Sequence, residues 1–255
     1  MLIRITSQCQ MQCSHCFVEA SPVGEHMTRE IFEKAIAFSD RIGFPMVQIS
    51  GGEPTEHPEL ISFLDFVRGV FASLKGKSLC GLLSNGLFLE DRQKAEEILK
   101  RVDLVQVTND PRFYPRSSPI VKHPKIVYET RLRALTLLGR AAKNKMTGSG
   151  HAPQCFNLRS ATRRIGNLHE AQAGNFHEAV IFLRSKGLYC TPSINIDGSI
   201  SAGESPLCTK IGTVDDDFST IGSNLCRMTC NNCGGVDNLN HQLKLVIGET
   251  SIITL

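Results

Sequence analysis

Cys9, Cys13 and Cys16 stand close together as Cys-Gln-Met-Gln-Cys-Ser-His-Cys, directly after the apolar stretch Leu2-Ile3-Arg4-Ile5-Thr6. Three thiolates at this spacing can converge on one metal centre. Four would saturate a tetrahedral zinc or complete the ligation of a [4Fe–4S] cubane. Three leave a coordination site open, and an open site is where catalysis can occur. Further on the chain reads Val47-Gln48-Ile49-Ser50-Gly51-Gly52-Glu53-Pro54, an apolar strand ending in a glycine pair and an acid.

In this order the two motifs resemble the radical S-adenosylmethionine (radical SAM) enzymes. The resemblance implies that Cys9, Cys13 and Cys16 hold a [4Fe–4S] cluster whose fourth iron takes the amino and carboxylate groups of SAM. Reductive cleavage of SAM would then yield methionine and a 5′-deoxyadenosyl radical, which removes a hydrogen atom from the substrate. By the same resemblance, Gly51, Gly52 and Glu53 receive the methionine ammonium, through the Glu53 carboxylate or the glycine carbonyls. His15, in a place that is usually aromatic, and Phe17 border the adenine. Ser84 and Asn85, and Thr108, Asn109 and Asp110, fall where ribose or carboxylate contacts are made. Asn85-Gly86 and Asp110-Pro111 read equally well as turn signals.

A second run, Cys226-Arg-Met-Thr-Cys230-Asn-Asn-Cys233, repeats the first spacing, with Cys208 eighteen residues upstream of Cys226 and Cys190 eighteen before that. The region resembles the SPASM and twitch extensions of radical SAM enzymes, which carry an auxiliary [4Fe–4S] centre. The expected ligands are Cys208, Cys226, Cys230 and Cys233, with Cys190 competing for one position, so two clusters are expected in all. A zinc site made by the same thiolates is the alternative. Cys155 belongs to neither set and reads as a hydrogen donor to a substrate radical or as a small buried residue; Cys80 reads as core.

These residues need a scaffold. Strands are expected at Leu2–Thr6, Met46–Ser50, Leu79–Ser84 and Leu104–Thr108. Helices are expected at Thr28–Ile42, Pro58–Leu74, Asp91–Val102 and Ile126–Lys143, the last long and amphipathic. Thr28 is the expected N-cap of the first helix. This alternation predicts a parallel sheet with right-handed crossovers, and the resemblance makes it a partial (β/α)₆ barrel open on one side. The candidate residues then gather at the C-terminal strand ends. Phe176–Lys186 reads as a helix. Tyr189–Ala202 reads as a strand or hairpin turning at Asp197-Gly198. Residues 1–188 are expected to form the barrel and 189–255 a small cysteine-rich C-terminal extension.

The chain of 255 residues is 41% hydrophobic and 21% charged, with a formal net charge of +3. Without a long Lys/Arg run it lacks the electrostatic footprint of a nucleic-acid binder. No stretch approaches the roughly 18 apolar residues of a membrane span, and no secretory signal is read, so a reducing cytoplasm is the expected location. Ten cysteines in short spacings argue for metal rather than disulfides. Arg112, Arg116, Arg159, Arg163 and Arg164 would suit an anionic substrate group but read first as solvated surface. His26, His57, His123, His151, His169, His177 and His241 show no mutual ligand spacing.

Extended enzymes of the resembled family modify peptides or small polar molecules, so a peptide or small polar, anionic substrate is expected. An electron donor such as flavodoxin or ferredoxin is expected too. Peptide modifiers of that family often carry an N-terminal leader-recognition domain; with strand one read from residue 2, a separate recognition protein or a small substrate is the expectation here. Two other readings stay open: an activase that installs a glycyl radical on a partner protein, and a non-catalytic iron–sulfur or zinc protein that works through binding.

Overall fold

Strand β1 (Leu2–Arg4) opens a computed structural model that describes residues 1–42, 46–73, 79–132, 135–136, 138–147, 192–204 and 208–227. The chain divides into two compact units. The first contains Met1–Asp40, Phe44–Ala152 and Asn195–Asp197. Its elements follow as α1 (Arg29–Ile42), β2 (Met46–Ser50), α2 (Leu60–Ser73), β3 (Leu79–Ser84), α3 (Arg92–Leu99), β4 (Leu104–Thr108), β5 (Ile126–Glu129) and α4 (Gly139–Lys143). The strands lie in the order β5-β4-β3-β2-β1, every pair parallel, in a sheet that does not close on itself.

Local chemistry accounts for the helix starts. The Thr28 hydroxyl accepts from Ile31 N at 3.3 Å, and the Asp91 carboxylate accepts from Lys94 N at 3.1 Å, each satisfying a donor that a helix N-terminus leaves unpaired. His57 does the same before α2: its Nδ1 accepts from Glu59 N at 3.1 Å while Nε2 faces the Met27 carbonyl at 3.0 Å. Its tautomer is therefore Nε2–H, and the ring is a buried neutral fastener. Burial lowers its pKa, in keeping with that state.

The two faces of the sheet differ. Val47, Ile49, Leu82, Val105 and Val107 are fully buried on one face, where the helices supply Phe32, Ile36, Phe63, Leu64, Val67 and Ile98. Phe32 and Phe63 stack with ring centroids 4.1 Å apart, fixing α1 against α2. On the other face the polar Arg4, Gln48, Gln106 and Glu129 stand among the apolar Leu2, Met46, Leu83, Leu104 and Val127, and Gln106 Nε2 donates to Glu129 Oε2 at 3.1 Å.

The expected helix over Ile126–Lys143 is not formed. Residues 126–129 are instead the fifth parallel strand, paired Val105↔Ile126 through Thr108↔Glu129, and among the described residues of that stretch only Gly139–Lys143 is helical. Ile126-Val127-Tyr128 is a β-branched and aromatic run that suits a pleated surface. Its backbone groups find partners along β4, a non-local gain that helical periodicity does not register.

In the second unit, β6 (Ser193–Ile194) and β7 (Ser199–Ser201) form the expected antiparallel hairpin, with Gly198 at φ 78° in its turn. A third strand, β8 (Lys210–Thr213), pairs antiparallel with β7, and α5 (Phe218–Arg227) follows. Ile194, Ile200, Ile211 and Ile221 are buried there. The helix expected at Phe176–Lys186 lies outside the described residues. Among the described residues no helix is long and apolar enough to cross a membrane.

Candidate cluster and SAM site

The cysteine loop leaves β1 and folds back beneath it. Ser7 N donates to Glu25 O at 3.0 Å, Cys9 N to Ser21 O at 2.7 Å, and Ser21 N to Ser7 O at 3.3 Å, so residues 21–25 act as a rail for the outgoing strand. Cys9 and Cys13 are buried and Cys16 is half-buried. Cys9 and Cys13 belong to one buried apolar cluster with Met11, Ala20 and Leu87, against which Cys16, Val18 and Tyr114 pack. Gln12 (φ 49°) and Glu19 (φ 56°) take left-handed backbone, unfavourable for residues with a Cβ.

The Cys9 sulfur accepts from Met11 N at 3.5 Å and, at a long 3.9 Å, from Asn85 Nδ2. Burial pushes the Cys9 thiol up, and it pushes the Cys13 thiol up to about 12; the other cysteines add to the effect, while Arg140 opposes it at Cys13. The three thiols thus sit near enough to repel one another as thiolates. Yet among the described residues no three His, Cys, Asp or Glu side chains converge on a single ion.

The glycine pair is required by close approach, and the neighbour is the chain itself. Gly52 N donates to Thr6 O at 2.6 Å and Glu53 N to Gln8 O at 2.8 Å. A Cβ on Gly51 would lie 2.5 Å from Thr6 O, and one on Gly52 would lie 2.4 Å from Gln8 O. Glu53 is fully buried. Its Oε1 accepts from Thr55 N (3.2 Å), Thr55 Oγ1 (2.8 Å) and Ser84 Oγ (2.9 Å), and its Oε2 accepts from Asn85 N (2.7 Å). Burial raises its pKa against these four donors. Glu53 therefore ties the end of β2 to the end of β3.

Ser84 accepts in turn from Gly86 N at 2.9 Å, and Asn85 Oδ1 accepts from Leu87 N at 3.0 Å. The Asn85 amide also reaches Gln10 Oε1 at 3.4 Å. Asn109 Nδ2 donates to Asn85 O at 3.5 Å, while Thr108 pairs with Glu129 at the end of β4. Asp110 is a turn former: its carbonyl accepts from Phe113 N and Tyr114 N, and its buried carboxylate accepts from Arg112 and Leu132 N. The Arg112 guanidinium holds that carboxyl well below the usual range. Arg112 and Arg116 lie at the surface, as expected, and each is ion-paired there, Arg112 with Asp110 and Arg116 with Glu90 at 3.1 Å.

The loop after β4 meets the cysteine loop through His15, whose ring lies 5.2 Å from Phe113 and 5.0 Å from Tyr114. His15 Nδ1 is buried without a hydrogen-bond partner, and burial lowers the pKa of the ring. Phe17 is half-buried, its carbonyl turned toward Gly139. The structure therefore brings Cys9, Cys13, Cys16, Gly52, Glu53, Ser84, Asn85 and Asn109 into one connected region. Two residues there escaped sequence reasoning: Tyr114, which packs on the cysteine pocket, and Arg140, whose contacts are all to backbone.

Cys80 is core, as expected, its thiol pushed up to about 12 by burial. Cys208 is partly exposed in the second unit, and Cys226 lies on α5. Cys155, Cys190, Cys230 and Cys233 lie outside the described residues, as do Arg159, Arg163 and Arg164.

Comparison with known proteins agrees with this geometry. The family model described as "Radical SAM superfamily" matches residues 3–150. The probable GTP 3′,8-cyclase of Pyrococcus abyssi is 25% identical over 150 residues, covering 54% of this chain and 47% of that protein. The antilisterial bacteriocin subtilosin biosynthesis protein AlbA of Bacillus subtilis is 30% identical over 97 residues, covering 38% and 20%. This chain thus spans about half the length of the first relative and less of the second. A crystal structure of BtrN in an open conformation superposes with a TM-score of 0.50 at 13% identity, covering 96% of this chain and 85% of that one, a likeness of fold. With more than half its length matched by the family model, the cysteine triad and the glycine–glutamate strand end included, this chain belongs to the radical SAM superfamily.

Proposed function

We propose that the chain is an enzyme that reductively cleaves SAM at a [4Fe–4S] cluster held by Cys9, Cys13 and Cys16, and takes a hydrogen atom from a peptide or small polar substrate. The observation that carries this reading is the gathering of the three cysteines at one apolar cluster, Cys9 and Cys13 within it and Cys16 packed against it, beside the buried Glu53–Asn85 link. When bound, the cluster and SAM supply one-electron cleavage of a carbon–sulfur bond and the hydrogen abstraction that follows.

The chain's own residues bind, orient and exclude water. Met11, Ala20, Leu87 and Tyr114 keep water from the thiolates. Both oxygens of the buried Glu53 already accept from Thr55, Ser84 and Asn85, so the ammonium of SAM, a donor, is assigned to the Gly51 and Gly52 carbonyls. Glu53 acts from behind, fixing the Ser84-Asn85 turn. Names among the relatives span both substrate kinds: a PqqA peptide cyclase of Bradyrhizobium diazoefficiens, 33% identical over 66 residues, and the GTP cyclases. We assign residues 189–255 to an extension with one auxiliary [4Fe–4S] cluster on Cys208, Cys226, Cys230 and Cys233, Cys190 competing for one place.

The test is iron, sulfide and zinc per chain after anaerobic reconstitution, with a Cys9/Cys13/Cys16→Ala variant alongside, then 5′-deoxyadenosine formed with SAM and dithionite. The reading expects about eight irons in the wild type, about four in the variant, and 5′-deoxyadenosine from the wild type alone. Iron unchanged in the variant, or no 5′-deoxyadenosine from the iron-loaded wild type, overturns it.

A further inference from the structure

We propose that Arg140 is the positioning residue of the cysteine loop: it ties three of the loop's carbonyls to one point and supplies the fixed counter-charge to the thiolates. Its Nε donates to Cys13 O and its Nη1 to Ala20 O, both at 2.8 Å, and its backbone N–H donates to Cys16 O at 3.0 Å. A planar guanidinium suits this task, because two N–H groups diverge from it in a rigid fork that an ammonium lacks.

Neighbouring residues grip the same loop. Asn144 Nδ2 donates to Ser14 O at 2.8 Å, and Lys143 pairs with Glu19. Gly139, at φ 51°, lets α4 come in close: a Cβ there would lie 2.5 Å from Phe17 O and 2.9 Å from Cys16 O. The loop needs such a grip. Left-handed backbone at Gln12 and Glu19 is unfavourable for residues that carry a Cβ and persists only when the surroundings hold it.

The charge has its own consequence. Three thiolates in an apolar pocket make a negative site, and each electron added to a cluster there makes it more negative. A cation held against the Cys13 carbonyl favours the reduced form and raises the cluster's potential. This half of the inference rests on the cluster reading; the grip does not.

The experiment compares wild type with Arg140→Lys and Arg140→Gln. In metal-free, reduced protein, iodoacetamide labelling of each cysteine is followed by mass spectrometry. Both variants are expected to label at Cys9, Cys13 and Cys16 several-fold faster than wild type, because both lose the fork. Cys80, buried in β3, should not change. In reconstituted protein, the midpoint potential of the first cluster is read by electron paramagnetic resonance. Arg140→Gln should be more negative than wild type, with Arg140→Lys near wild type. Unaltered labelling in both variants, or a matching rise at Cys80, overturns the grip. Equal potentials in Arg140→Gln and wild type overturn the counter-charge. Absence of iron from the wild type would sink the cluster reading, and the labelling would still decide the grip.

Discussion

Gly52→Ala should cost the fold several kcal/mol, while the same exchange at Gly69 should stabilise it. At Gly52 the added methyl would lie 2.4 Å from Gln8 O and 2.8 Å from Ala20 Cβ, so the segment leading to Cys9 must shift. Overpacking of this kind costs about 1–3 kcal/mol. The shift also loosens Gly52 N to Thr6 O and Glu53 N to Gln8 O, each worth about 0.5–1.5 kcal/mol. Reduced freedom of the unfolded chain returns about 0.4–1 kcal/mol. The net loss is about 1–6 kcal/mol. Gly69 is helical in α2, and a methyl added there would meet nothing within 4 Å, so Ala should gain about 0.8–1 kcal/mol through propensity alone. Denaturant midpoints of the metal-free, reduced proteins, followed by far-ultraviolet circular dichroism, measure both. A Gly52→Ala midpoint at or above wild type would refute the packing argument. A loss at Gly69 equal to that at Gly52 would show that glycine replacement in general is at fault.

Three further outcomes follow from the site. Glu53→Gln places an amide N–H₂ against groups that already donate, so one buried donor pair must part; a loss of about 1–3 kcal/mol is expected in the same denaturation assay. Asp110→Asn should be less stable than wild type at pH 7. Because Arg112 depresses the folded pKa of Asp110, its stabilisation is present above the ordinary carboxylate value of about 4 and is lost as pH falls below it. The gap between midpoints should therefore narrow between pH 5 and pH 2, and a constant gap would contradict the pairing. His57→Ala removes a buried ring that holds Glu59 N and the Met27 carbonyl and packs 4.6 Å from Phe63. A loss of about 2–4 kcal/mol is expected from the cavity and the orphaned groups, read from the urea midpoint.

What the sequence made legible was local or periodic. Strands β2, β3 and β4 lie where apolar runs bounded by turn signals place them, and Asp91 and Thr28 cap the helices they precede. The glycine pair was readable as a close approach, though not what approaches, because Thr6 and Gln8 lie on a separate strand end. Long-range partners were hidden. Glu53 looks like a ligand-facing acid until Ser84 and Asn85, some thirty residues away, are seen to consume its oxygens. Arg140 was one cation among many in an expected helix. Its partners are carbonyls, which every residue has, so no side-chain pattern marks them. Residues 126–129 failed for a related reason: a short apolar run suits helix or strand, and β4 decides.

The distance in sequence between the cysteines and their holder also sets a timetable. Once Cys16 has left the ribosome, Arg140 and Asn144 follow more than 120 residues later. At about 5–20 residues per second, that interval lasts roughly 6–25 s. Through it the three thiols hang on a loop whose last anchors do not yet exist, open to oxidants and to any metal that thiolates accept. Delivery of iron and sulfide is therefore best timed after residue 144 has folded back, and a ribosome stalled before that point would display a triad held only by its earlier partners, without the Arg140 and Asn144 bonds to Cys13, Ser14 and Ala20.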